Sequence, residues 1–293
     1  MSLSVDPLWP RAGDWPAPTG NDVDVALLGI PTAATSLSGS SAHATPAAVR
    51  EALRFYTYHA GASSSGLSYA QWPDAIDPDV DRAGAIDYVA RAAAQARLVI
   101  ALGGDNAATV PAALGTWGDR ISTAGLVTLD AHHDLRDGHS NGSPVRELIE
   151  AGLDGTRVVQ VGIADFANSA AYARRAADYG ITVIHRDELH RRPMADVMAE
   201  ALEIAGSAGG PVHVDLDVDV CDRSVAPACP AALPGGIAAH ELRAAARGAG
   251  RHPLVESIDL TEVDVARDSA DGRTVRLVAL CVLEAATGLG ERA

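Results

Sequence analysis

Short runs of apolar, β-branched residues alternate along this chain with longer Ala-rich segments of helical spacing, and that alternation predicts an α/β protein. Two further observations narrow the class. No repeat, low-complexity tract or linker interrupts the pattern, and 293 residues, 47% of them hydrophobic, are enough to bury a large core. The simplest reading is one three-layer α/β/α domain over residues 1–293, with a mostly parallel central sheet and residues 1–20 as an irregular N-terminal extension.

The expected strands are Val23–Gly29, Leu98–Leu102, Ala124–Leu129, Arg157–Val161, Ile181–Ile184, Val212–Leu216 and Val255–Leu260. Each is short, apolar and rich in Val, Ile or Leu, as a strand covered on both faces requires. The expected helices are Thr45–Phe55, Val80–Gln95, Asn106–Leu114, Ala170–Ala177, Glu188–Ala205, Ala239–Arg247 and Thr274–Ala286. They combine good helix formers with apolar residues three or four apart. Thr45-Pro46 suits a cap and first helical position. The Ser-rich stretches Ser36–Ser41 and Ser63–Gly66 read as surface loops.

Composition excludes several function classes. A net charge of −15, from 23 Lys plus Arg against 38 Asp plus Glu, argues against phosphate backbones and anionic membranes, so nucleic acid and membrane are not expected partners. Cys221, Cys229 and Cys281 include no C-x-x-C pair, which argues against a disulfide scaffold or a cysteine-based zinc site. Met1 to Asp14 shows no basic segment leading into an apolar run, and no stretch approaches the length of a membrane span. A cytoplasmic protein is expected.

Ligands of open α/β sheets collect beyond the C-terminal strand ends, and four such ends carry polar tips here. Gly103-Gly104-Asp105-Asn106 alone reads as a strand-to-helix turn with a capping residue, and its glycine spacing is not that of a dinucleotide fingerprint. In Asp130-Ala131-His132-His133-Asp134, alternation in an extended chain would bring Asp130, His132 and Asp134 to one face. In Asp215-Leu216-Asp217-Val218-Asp219, three aspartates on one face would repel unless cations neutralise them. Carboxylates and one imidazole from separate strand ends suit a hard divalent cation, manganese above all, with a pair of ions sharing a carboxylate as a further option. Glu262 follows a fourth strand and would face the same crevice; by itself it reads as an ordinary surface glutamate.

The blocks GGDN, DAHHD, VDLDVDVCDRSVAPACPAALPGG and SIDLTEVD resemble, in order, the signature blocks of the ureohydrolase (arginase and agmatinase) superfamily. The resemblance runs from about Val23 to the last helix. It implies an arginase-like fold with two manganese ions and, from relatives, a trimer or hexamer. Asp130 and Asp217 match the bridging aspartates, and His132, Asp134 and Asp219 the other ligands. Glu262 matches the residue that holds the substrate's cationic nitrogens. Asp215 falls where relatives carry a small polar residue and is left out of the ligand set. Asn106 stands at a histidine-ligand position, so the ion there is expected to be the weaker. Asn141 stands where arginase and agmatinase carry another histidine. Those two departures and the Ser140–Arg146 block (SNGSPVR) resemble the formimidoylglutamase branch.

The resemblance implies hydrolysis of N-formimidoyl-L-glutamate to glutamate and formamide, by hydroxide held between two metals. Asp134 would carry the proton to the leaving amine. Arg146, and Arg136 as a second candidate, would hold the carboxylates of such a substrate. The remaining histidines match no ligand position, His139 being the one nearest Asn141. Two alternatives stay open: an agmatinase or guanidinobutyrase type of hydrolase, which Asn106 and Asn141 disfavour, and a non-catalytic arginase-like subunit.

Overall fold

The computed structural model describes residues 4–61 and 66–292. The Ser63–Gly66 loop, Gly66 apart, lies outside the described residues. The strands are β1 (Val23–Ile30), β2 (Tyr69–Asp74), β3 (Ala96–Gly103), β4 (Gly125–Leu129), β5 (Val158–Ile163), β6 (Thr182–His185), β7 (Val212–Asp217) and β8 (Val255–Thr261). The helices are α1 (Thr45–Leu53), α2 (Arg82–Ala93), α3 (Thr109–Trp117), α4 (Pro144–Glu150), α5 (Ala170–Asp178), α6 (Arg186–Leu189), α7 (Met194–Ala205), α8 (Ala239–Arg251) and α9 (Arg273–Gly290). All eight strands join one sheet, ordered β2-β1-β3-β8-β7-β4-β5-β6. Every pairing is parallel.

Strand alternation sorts side chains between two helical layers. In β3, Leu98, Ile100 and Leu102 join the core under α1, α7, α8 and α9, while Val99 and Ala101 pack with Val89 of α2 and Ala112 of α3. In β7, Val212, Val214 and Leu216 face the first layer. The intervening His213, Asp215 and Asp217 therefore face the second. β8 repeats this with Ser257, Asp259 and Thr261, all fully buried. On that side β7 and β8 thus bury a run of polar residues.

Four details differ from the sequence expectation. β2 has no counterpart in it, because Tyr69–Asp74 is an edge strand interrupted by Pro73, and edges tolerate proline and polar residues. The helix expected over Glu188–Ala205 is two helices, α6 and α7, divided at Pro193, which has no N–H to continue a helix. The helix expected from Asn106 starts as a 3₁₀ turn, Asn106–Ala108, before α3 proper. α4, with Pro144 at its start, was too short to stand out. Residues 4–22 form neither helix nor strand, yet Trp15 of this extension is buried and stacks on Tyr69 at 4.6 Å.

The β3 tip is fixed by close backbone approach. Gly104 N–H donates to Ile30 O (3.0 Å) and Gly104 O accepts from Glu262 N–H (2.9 Å). A Cβ on Gly104 would lie 1.8 Å from Thr32 O, so only glycine fits. Gly104→Ala is expected to lose about 1–3 kcal/mol of folding stability by overpacking and to displace Glu262. A denaturant titration checks the first effect, and an unchanged midpoint would refute the steric argument.

Candidate metal centre and active site

The four middle strands, β3, β8, β7 and β4, end side by side on the same edge of the sheet. Asn106 follows β3, Glu262 follows β8, Asp217 ends β7 with Asp219 in the next turn, and Asp130–Asp134 follow β4. The topology therefore brings all four sequence blocks to one place. β1 to β3 lie on one side and β4 to β6 on the other, so the site occupies the point where the chain changes direction across the sheet.

Backbone donors hold the carboxylates. Asp130 Oδ1 accepts from His132 N–H (2.6 Å), Asp217 Oδ1 from Asp219 N–H (2.7 Å) and Asp219 Oδ1 from Ala131 N–H (2.8 Å). His132 Nδ1 lies 2.7 Å from Asp219 Oδ2 and 3.4 Å from Asp130 Oδ1. Ligand atoms of Asp130, His132 and Asp219 fall within 4.8 Å of one another, as do those of Asp217, Asp219 and Cys229.

The convergence does not arise by strand alternation, as expected, since β4 stops at Leu129 and β7 at Asp217. Loops complete it. Asp134 adopts a left-handed backbone (φ 52°), as does Glu262 (φ 64°). Such conformations cost non-glycine residues about 1–3 kcal/mol each and concentrate at functional sites.

Asp134 faces Asn106, whose Nδ2 donates to Asp134 Oδ2 (2.5 Å). The Asn106 oxygen accepts from the hydroxyls of Thr109 (2.8 Å) and Thr261 (2.9 Å). Asn106 thus turns its nitrogen, not its oxygen, toward the cluster, an orientation that differs from the ligand role expected for it. Glu262 Oε1 accepts from Asn106 N–H (2.8 Å) and from Asn141 Nδ2 (2.7 Å). Asn141 in turn accepts Leu37 N–H at 3.0 Å, so both ends of its amide are engaged.

A cavity of about 360 Å³ opens onto this cluster, lined by His132, Asp134, Asp217, Asp219, Asn141 and Glu262 on its polar side. Arg136 also lines it, and its guanidinium makes no hydrogen bond or ion pair among the described residues. Gly142 leaves room for it, since a Cβ there would lie 2.7 Å from Arg136 Cδ. Arg146 is placed elsewhere. Its guanidinium bonds Arg136 O (2.6 Å), Gly138 O and Glu150, and it does not line the cavity. The clamp expected of Arg146 is therefore corrected: its donors are consumed in bracing the loop that carries Arg136. His139 pairs with Glu147 (3.0 Å) in the same brace.

Sequence reasoning missed Asn168, Ser169 and Tyr172, which also line the cavity. Asn168 ties its loop to the β4 tip, accepting from His133 N–H (3.0 Å) and donating to Ala131 O (2.9 Å). Its position before Ser169, the cap of α5, was the available signal.

Burial and mutual repulsion raise the carboxyl pKa values except at Asp219, where burial is outweighed by His132 and the carboxyl lies below its ordinary value. Asp130 and Asp217 stand well above the ordinary range, from burial first and Asp219 second. Burial lifts Asp134 to about 7 and Glu262 to about 8. Burial opposes protonation of His132, but Asp219 outweighs it and pushes the imidazole up to about 9. A fully buried set of carboxylates with one imidazole is the donor set of a hard divalent cation, and the residues present fit one.

Residues 23–288 match the Arginase family. A formimidoylglutamase of Halalkalibacterium halodurans is 30% identical over 256 residues, covering 83% of this chain and 80% of that one. The chain belongs to the arginase family. Its similarities place it in the formimidoylglutamase branch of that hydrolase family. The crystal structure of the Bacillus subtilis formimidoylglutamase superposes with a TM-score of 0.91 at 26% identity, covering 99% of this chain and 95% of that one. A Pseudomonas aeruginosa guanidinopropionase is 34% identical over 200 residues, covering 64% of this chain and 61% of that one. A Trypanosoma cruzi formiminoglutamase solved with Mn2+ shares the fold (TM-score 0.87, 21% identity, 97% and 100% covered).

The raised pKa values set a sign for stability in the metal-free protein. Folded carboxyls keep protons that unfolded ones, with pKa near about 4, have released, so the folded state binds more protons and stability falls as pH rises. For Asp134 and Glu262 the loss begins above the unfolded value and is complete above about 7 and about 8. His132 adds to it, because its pairing with Asp219 is lost as pH rises through about 9. Melting temperatures in chelator should therefore drop between mildly acidic and mildly alkaline pH. A divalent cation should cancel the drop by taking the protons' place. A flat profile in chelator would contradict the assignment.

Proposed function

We propose that this arginase-family hydrolase hydrolyses N-formimidoyl-L-glutamate to L-glutamate and formamide with two manganese ions. One observation carries the choice of substrate: a single cavity joins a carboxylate cluster to one unpaired guanidinium, Arg136. A ligand that fits has a cationic amidine at one end and a carboxylate at the other. Relatives in the formimidoylglutamase branch support the reading, and the Mn2+ of a fold relative supports the metal. No helix among the described residues is long and apolar enough to cross a membrane.

Asp130, His132, Asp134, Asp217 and Asp219 would hold the two ions. Bound there, they would supply Lewis-acid charge and a water of lowered pKa. Glu262 receives the amidinium. The cationic group favours the ionised carboxylate, and the pair fixes the formimidoyl carbon in place. The bond from Asn141 restricts which Glu262 oxygen is left for that contact. Asp134, which lines the cavity beside Asn106, would carry a proton to the departing amine. Arg136 bonds a substrate carboxylate through its planar fork.

A guanidino acid presents the same two ends, and the similarity to a guanidinopropionase favours it as the second reading. Product analysis separates the two, with formamide from the first substrate and urea from the second. The purified protein with added Mn2+ should release formamide from formimidoylglutamate and little or no urea from guanidino acids. Urea as the main product would overturn the proposal.

Arg136→Ala should raise KM about 10- to 100-fold with a smaller change in kcat, the loss of a charge-assisted bond of about 1.5–3 kcal/mol. An unchanged KM would remove Arg136 from substrate binding. Arg146→Ala should instead lower thermal stability, through the loop it braces.

A further inference from the structure

Beneath the cluster, the polar underside of the sheet contains a feature that the proposed chemistry does not use. Asn106, Thr109, Thr261 and Asp215 are all at most 1% exposed. Thr261 Oγ1 stands between two acceptors, Asn106 Oδ1 at 2.9 Å and Asp215 Oδ1 at 3.4 Å. A threonine hydroxyl has one hydrogen to give and lone pairs to receive. In the arrangement observed, the shorter contact takes that hydrogen, the Asn106 oxygen is occupied, and its NH2 faces Asp134.

Exchanging the ends of the amide would put an oxygen 2.5 Å from Asp134 Oδ2. Two facing acceptors at that distance repel unless a cation joins them. With a cation there, the amide oxygen belongs on the Asp134 side and the NH2 on the threonine side. The Thr109 and Thr261 hydroxyls must then both accept. Thr109's hydrogen turns back toward the preceding turn, while Thr261's needs a new acceptor in a buried place where an unmet donor costs about 1–3 kcal/mol. Asp215 supplies that acceptor. Its backbone position follows from the sheet register, in which Asp215 pairs with Asp259 of β8 and Asp217 with Thr261. A carboxyl oxygen accepts whether or not the group holds a proton, so the exchange does not depend on the charge of Asp215.

We propose that Thr261 and Asp215 form a hydroxyl switch that lets Asn106 turn its amide oxygen toward a metal ion on the Asp134 side of the centre. Asn106 is a donor to Asp134 without metal and a metal-facing acceptor with it. Thr261 and Asp215 are positioning residues that act through it. The inference rests on the reading of the site as a two-ion centre.

The test is a Mn2+ titration of the purified protein, with free ion followed by electron paramagnetic resonance and the melting temperature of each metal-free variant recorded. Thr261→Val keeps the shape and removes the hydroxyl. It should weaken the second ion about 10-fold or more, the usual effect of losing a partner behind a ligand, and leave the first unchanged. Thr261→Ser should restore native affinity. Asp215→Val should reproduce the loss and Asp215→Asn, which keeps an acceptor oxygen, should not; this pair carries the test if Thr261→Val fails to fold. Native affinity for both ions in Thr261→Val, or in Asp215→Val, would overturn the switch. A native protein that binds no Mn2+ would overturn the two-ion centre itself, and the switch with it.

Discussion

Charge concentrated where water is excluded is the constraint on which the rest of this structure depends. Asp130, Asp134, Asp217, Asp219 and Glu262 are all at most 7% exposed, and the one imidazole among them, His132, cannot offset five carboxylates. Protons can relieve part of that repulsion, and divalent cations relieve more of it. A parallel sheet makes such a concentration possible because every strand delivers its C-terminal end to the same edge, together with backbone N–H groups not used in the ladder. Those donors, from Ala131, His132, Asp219 and Asn106, each hold a carboxylate oxygen of the cluster. The fold thus fixes the acids in place before any ion arrives, which is what preorganised catalysis needs.

How much of this was legible in the sequence follows from the range of each interaction. Strands and helices with strong local periodicity were readable, as were the acidic blocks at the strand tips, because strand-end placement follows from the α/β pattern alone. The strand order was not derivable from local pattern, and it is the order that sets β3, β8, β7 and β4 side by side. β2 was hidden because its stability comes from pairing with β1 and from the Trp15 stack, both non-local. The left-handed turns at Asp134 and Glu262 were equally hidden. Aspartate tolerates such a backbone better than glutamate, but nothing local to either residue requires it.

Arg136 of the β4–α4 loop and Arg146 of α4 show the limit most clearly. By residue type and spacing, Arg146 ranked first as a carboxylate partner and Arg136 second. What separates them is where the backbone carbonyls point. Arg146 lies at the start of α4 with its side chain only 11% exposed, and the carbonyls of Arg136 and Gly138 consume its donors. Arg136, held at its backbone by Gly142 O and Arg146, keeps its guanidinium free. A cation must be left unpaired to be of use to a ligand, and sequence alone does not show which cation that is. Glu147 extends the same brace by joining His139, Ser143 and Arg82, so the loop bearing Arg136 and Asn141 is anchored from both sides.

The polar underside of β7 and β8 is the least economical part of the core, and its arrangement argues for a role beyond stability. Asp259 is wholly buried with both oxygens lacking a hydrogen bond among the described residues, and His213 Nε2 lies 3.2 Å away without one. Apolar residues of similar volume would cost less there. Burial and the neighbouring Asp259 hold the Asp215 carboxyl far above its ordinary range. A fold keeps such groups when something above them depends on their donors and acceptors. Here the layer above is Thr261 and Asn106, and above those the Asp134 carboxylate. The line of contacts runs from the interior of the sheet to the reacting edge without interruption. An amide, unlike an imidazole, offers oxygen or nitrogen according to which partner lies behind it. In the proposed two-ion centre, asparagine at position 106 would therefore shift control of that position to the residues beneath it.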